Sequence, residues 1–247
     1  MITLSASKIT TYLQCPRRYR FRYVMRLQPE WKAAALALGS AVHGALETFH
    51  RQRAAGATMA PGAVGALFEI DLAAELVDDI RFKDGESAET LRVTGERLVT
   101  MYAAANQNVA VNAAEVPFEL PVVEGVVMRG VFDVLLGGDR VREMKTAARD
   151  YDEGTLARHV QVSAYAWAFF ALFGRDAVVE VVALLKTKQP RIELHEVARS
   201  DNDQSWFVRL VVDVARAIEA GAFPPNPGWA CPSCEYAEYC RACRAGP

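Results

Sequence analysis

The chain has no apolar run long enough to span a bilayer. The longest, such as VVEVVALL over 178–185, fits a buried strand. Its opening, MITLSASKITTYLQ, lacks the basic-then-apolar layout of a secretion signal, so a cytoplasmic location is the expectation. Internal repeats and low-complexity stretches are missing too. There is little net charge: −2 over 247 residues argues against a protein that coats nucleic acid nonspecifically, yet allows a local basic patch. Cysteine is scarce, with five residues, and in a reducing compartment these are metal ligands or free thiols rather than disulfides.

What is present is an ordinary globular composition. Hydrophobic residues make up 51% and charged residues 23%, enough apolar mass for a real core. The pattern predicts a helix capped by Ser5 or Ser7, then a second from Pro16 to about Arg26, because proline suits a first helical position. Helices follow over 34–55, 63–82 and 87–106. The character then changes to short β-branched segments at 115–123, 126–136 and 140–147, separated by glycine turns. A helix over 153–173, strands near 177–186 and 191–198 and a helix over 202–221 complete the series. This order predicts one domain over 1–247 of mixed α/β class, a central mixed β-sheet flanked by helices.

Asp133 interrupts an otherwise apolar run, VFDVLL, and burying an unpaired carboxylate costs several kcal/mol. Glu143 and Lys145 occupy the next strand, across the turn GGD (137–139). A hairpin centred on Gly138 sets Asp133 opposite Glu143, with Lys145 on the same face by period-two alternation. Two facing carboxylates repel, and a divalent cation between them reverses that sign. Such an ion assists phosphodiester hydrolysis. An isolated Glu-x-Lys triplet is most often a surface ion pair; the apolar setting of Asp133 and the register favour a metal site.

Asp133 followed by Glu143-x-Lys145 resembles the core motif of the PD-(D/E)XK nucleases, although no proline precedes Asp133. GSAVH (39–43) resembles the G-x-x-x-H motif of the RecB-like branch, QVSAY (161–165) its Q-x-x-x-Y motif, and SASKITTYLQCPRRYRFRY (5–23) its N-terminal opening. The resemblance implies a deoxyribonuclease, an exonuclease on single-stranded DNA or DNA ends. It implies metal ligation by His43, Asp133, Glu143 and the Met144 backbone carbonyl. Glu47, one turn on, would orient His43 or be solvated. The mixed nitrogen and oxygen set suits Mn2+ or Mg2+. Gln161 and Tyr165, four residues apart on one helical face, would position the DNA backbone or attacking water.

The cysteines allow two tetrads. Cys231, Cys234, Cys240 and Cys243 make a local C-x2-C-x5-C-x2-C set, short between its pairs for a zinc ribbon. Cys15, Cys231, Cys234 and Cys240 resemble the iron–sulfur subset of the RecB-like branch, which implies a [4Fe–4S] cluster joining 1–32 to 222–247. Residues 1–32 carry +6 and the remainder −8. There Arg17, Arg18 and Arg22 alternate with aromatics and are expected to grip DNA phosphates, with Tyr19 and Phe21 turned mostly inward. The rival readings are a non-catalytic DNA-binding or adaptor module and a nuclease with a C-terminal zinc site.

Overall fold

A computed structural model of the chain describes residues 1–77 and 79–243. It opens with a short strand β1 (Ile2–Leu4), then α1 (Ala6–Gln14), whose first turn is closed by the Ser5 side chain accepting from the Lys8 amide. Pro16 starts α2 (Pro16–Tyr19), and a π-helical turn continues it over Arg20–Val24. Strand β2 (Lys32–Ala33) leads into α3 (Ala34–Ala54), followed by α4 (Pro61–Glu75), β3 (Ile80–Arg81) and α5 (Ala88–Ala105). The helix expected over 63–82 therefore stops at Glu75. Its continuation includes Ile80 and Arg81, which pair with Lys32 and Ala33; Asp78 lies outside the described residues.

The sheet comes next: β4 (Val111–Val123), β5 (Val126–Leu136) and β6 (Arg140–Ala147). The helix expected over 153–173 is two, α6 (Glu153–Ala157) and α7 (Val160–Phe173), broken at Arg158 and His159. Strands β7 (Val178–Leu185) and β8 (Arg191–Val197) and helix α8 (Asp201–Glu219) follow. A single 3-10 turn over Cys231–Ser233 and α9 (Ala237–Ala242) end the described chain.

The main sheet is mixed, with order β1-β5-β6-β7-β8 and β4 on the far edge of β5. Strand β4 lines β5 from Val126 to Leu136. The opposite edge of β5 is shared: β1 takes Val126 to Met128 and β6 takes Val134 to Leu136. Between them Arg129–Asp133 have no ladder partner on that edge. The sheet thus carries a slot in its middle.

Two apolar cores lie against the sheet. One gathers α1, α7 and α8 around Phe132, Tyr165 and Phe207; the other gathers α3, α4 and α5 around Phe49, Phe68 and Leu98. Phe132 belongs to the first and Val134 to the second, although alternation would put them on one face. The change of side falls at Asp133. Across from it, Glu115 has a left-handed φ of 53°, which interrupts the β4–β5 ladder. Asp133 is therefore reached from both layers.

Candidate active site

The turn Gly137-Gly138-Asp139 carries positive φ at Gly138 (70°) and Asp139 (55°), and the ladder resumes with Leu136 opposite Arg140. Each pair is equidistant from Gly138, as the hairpin reading requires. The ladder runs through Leu135–Val141 to Val134–Arg142 and stops there, one step short of Asp133 and Glu143. The Met144 amide donates instead to Asp133 Oδ2 at 3.1 Å.

Both carboxylates are buried, Asp133 to 7% exposure and Glu143 to 1%. Tyr165, brought in by α7, sets its hydroxyl 2.7 Å from Asp133 Oδ1 and 2.6 Å from the Val131 carbonyl, two acceptors that share its one proton. From the other layer, α3 carries His43, whose Nε2 lies 3.4 Å from Asp133 Oδ2 and 3.8 Å from Glu115 Oε1. Gly39, one turn earlier, faces β6: a Cβ there would meet Thr146 Oγ1 at 3.4 Å, an ordinary van der Waals contact. Lys145 Nζ pairs with Glu143 Oε1. Glu143 Oε2 and Glu115 Oε1 are buried with no hydrogen-bond partner among the described residues.

The electrostatics follow from this crowding. Burial pushes the Glu143 carboxyl up, and the Asp133 charge adds to it, while Lys145 offsets part. Burial also pushes Asp133 up, but His43, Tyr165 and Lys145 together outweigh it and leave the group below its ordinary range. The hydrogen bond to Asp133 raises His43 to about 9 against the opposing effect of burial. Burial raises Glu115 to about 7, opposed by His43 and reinforced by Asp133. The region holds more negative charge than its one lysine and one histidine balance.

These side chains line a cleft of about 250 Å³ with Ser5, Ser7, Arg129 and Gln161 on its rim. All six side-chain positions expected from the sequence meet there: His43, Asp133, Glu143, Lys145, Gln161 and Tyr165. Glu115 was not foreseen. It stands on β4 in register with Asp133, and His43, Glu47 and Glu115 form one group of metal-ligand atoms within 4.8 Å of each other. A lone acidic residue early in a strand was its sequence signal; the left-handed backbone that turns it inward was not readable. Glu47 also pairs with Arg51 at 2.7 Å.

A model of the PD-(D/E)XK nuclease superfamily matches residues 3–241. The chain belongs to that superfamily. Its sheet and helices are of the PD-(D/E)XK nuclease type, and members typically use divalent metal ions. Among solved structures, a candidate exonuclease from Eubacterium rectale is similar at a TM-score of 0.59 with 12% identity, covering 99% of this chain and 88% of that one. A second, named only as SSO0001, is similar at 0.50 with 16% identity, covering 98% and 87%. No curated protein matches the chain.

A second cavity, about 290 Å³, lies at the joined termini of this nuclease-family chain. Cys15, Cys231, Cys234 and Cys240 line it, with Arg17, Arg18 and Phe21; Cys243 does not and is exposed. Cys15 sits at the break between α1 and α2. The walls are held by Arg17 N–H to the Pro224 carbonyl (3.2 Å), Asn226 Nδ2 to the Gln14 carbonyl (2.9 Å) and Arg18 to Glu235 (2.8 Å). Tyr19 and Phe21 are buried as expected, and Phe21 meets Tyr236 and Tyr239. Arg18 is thus engaged in an ion pair, while Arg22 is exposed with its guanidinium 5.3 Å from the Tyr23 ring centroid. No described helix is long and apolar enough to cross a membrane.

Proposed function

We propose that this nuclease-family chain is a metal-dependent deoxyribonuclease, an exonuclease on single-stranded DNA or DNA ends, whose termini are clasped by a [4Fe–4S] cluster. The observation that carries the hydrolytic reading is the buried Glu143 Oε2, without a hydrogen-bond partner among the described residues, beside a second buried carboxylate. A group so placed costs stability unless a cation completes it. The donors fit a hard divalent ion: carboxylate oxygens of Asp133, Glu143 and Glu115, one imidazole of His43, and the Met144 backbone carbonyl as a further ligand. Mn2+ and Mg2+ both suit that set. An ion held there supplies Lewis-acid stabilisation of the scissile phosphate and eases deprotonation of water.

The chain's own residues do the rest. Tyr165 fixes the orientation of Asp133 through its hydroxyl. His43 would offer a neutral imidazole nitrogen to the ion. Lys145 offsets part of the upward push on Glu143 and would place an ammonium where negative charge grows on the phosphate. Gln161 on the rim is positioned to meet the DNA backbone or the attacking water.

What supports the cluster is the gathering of four cysteines, from residue 15 and residues 231–240, around one cavity that excludes Cys243. Four thiolates are the usual ligands of such a cluster. End-labelled single-stranded DNA incubated with Mn2+ tests the hydrolytic reading: shortening from the ends is expected, and intact DNA at every metal tried overturns it.

A further inference from the structure

A groove larger than the cleft, about 720 Å³, lies between the cysteine region and the start of α3. Its walls include Arg22, Arg26, Trp31, Lys32 and Leu36. Several charges there are already engaged: Arg18 with Glu235, Lys32 with Glu75 at 2.5 Å, and Glu30 with the Glu238 amide at 2.9 Å. Asp79 is the remaining carboxylate on the wall among the described residues. Arg22 and Arg26 are exposed and form no ion pair among the described residues. Arg26 is held at a φ of 54°, a left-handed backbone that non-glycine residues seldom adopt and that gathers at binding sites.

Trp31 is the half-buried aromatic of this groove. The Arg81 guanidinium lies over this ring, 4.7 Å from its centroid, and Arg81 is not among the groove's walls, so it covers a ring face that the groove does not use. Bases stack on such rings. One helix, α3, contributes to both the groove and the cleft. Leu36 lines the groove and His43 the cleft, and seven residues on α3 place them about 10 Å apart on the same face. Between them that face shows Ser40, exposed and too small to block a strand.

We infer that this groove holds the single-stranded segment of the nucleic acid next to the one being cut, stacking a base on Trp31 and pairing phosphates with Arg22 and Arg26. The inference rests on the nuclease reading and adds a binding subsite outside the cleft. It makes affinity depend on the groove and chemistry on the cleft.

The test uses labelled oligodeoxythymidylate, bound in EDTA so that it is not cut, and read by fluorescence anisotropy. Trp31→Ala is expected to weaken binding about tenfold, the range for one stacked base. Trp31→Phe keeps a ring and stays close to wild type. Arg26→Gly suits the left-handed backbone, removes the charge and lowers the salt slope by about 0.7, as loss of one single-strand phosphate contact does. Metal-dependent hydrolysis of bis(p-nitrophenyl) phosphate, too small to reach the groove, stays unchanged in all three. Wild-type affinity in Trp31→Ala overturns the inference, as does an equal loss in Trp31→Phe, which means packing rather than stacking. Should Trp31→Ala fail to fold, an unchanged salt slope in Arg26→Gly overturns it alone. A wild-type protein that binds the oligonucleotide through Trp31 yet hydrolyses neither substrate keeps the groove and removes the nuclease reading.

Discussion

The cleft and the cysteine cavity hold their polar groups differently. In the cleft, Asp133 and Glu143 are buried and gripped by Met144, Tyr165, His43 and Lys145, all on elements packed into the two cores. In the cysteine cavity the thiols are half-buried or exposed. Its walls come from residues about two hundred positions apart and meet through a few hydrogen bonds, one ion pair and aromatic edges. The cleft is therefore shaped by burial elsewhere. On the proposed reading the cavity depends on the cluster that would bridge its cysteines, because closing so long a loop carries a large entropy cost.

The sharpest way to break that contrast is to remove a thiol. Cys15→Ser is expected to strip iron and sulfide and to cost about 5 kcal/mol of stability, the scale of a cross-link over a very long loop. Cys243→Ser is expected to do neither. Metal analysis and urea midpoints on the two variants read it directly, and loss of metal from Cys243→Ser with retention in Cys15→Ser would replace the clasp by a local zinc site. In the cleft the same kind of change acts on chemistry. Asp133→Ala should slow DNA hydrolysis about a thousandfold, about 4 kcal/mol of transition-state stabilisation, while the urea midpoint moves little. Undiminished digestion by this variant removes Asp133 from the site.

A smaller effect belongs to the wall behind the cleft. His50 is buried against Tyr102 (2.9 Å), and burial with the Arg142 charge lowers it to about 4. The unfolded chain takes up that proton near pH 6.5, so stability is full above this value and falls as pH drops toward 4. Between pH 7 and 5 the loss from this residue is about 2 kcal/mol. His50→Phe should flatten that part of the denaturation profile; an equal acid sensitivity in the variant assigns it elsewhere. The smallest effect is expected at the half-exposed ion pair across the clasp. Arg18→Ala should cost at most about 1 kcal/mol, measured by thermal melts, since water screens such pairs. A larger loss would mean that the walls of the cavity hold together without the cysteines.

Much of this was legible locally. The glycine turn at 137–139 and strand alternation determined the hairpin register, with the pairs Leu136–Arg140 to Val134–Arg142 equidistant from Gly138, because turn chemistry and a period of two are properties of a few adjacent residues; that the ladder stops one step short of Asp133 and Glu143 was not readable. The motif spacing likewise determined which histidine, glutamine and tyrosine to look for. The break between α6 and α7 and the short pairing of β2 with β3 were missed, since each is decided by packing that overrides helical pattern. Only the tertiary structure decided that β5 shares one edge between β1 and β6, opening the slot beside Asp133. It also decided that Glu115 turns inward from β4, and that Trp31 faces Arg81 from a strand fifty residues away. Such meetings depend on the summed burial of distant segments, and no short stretch of sequence carries that sum.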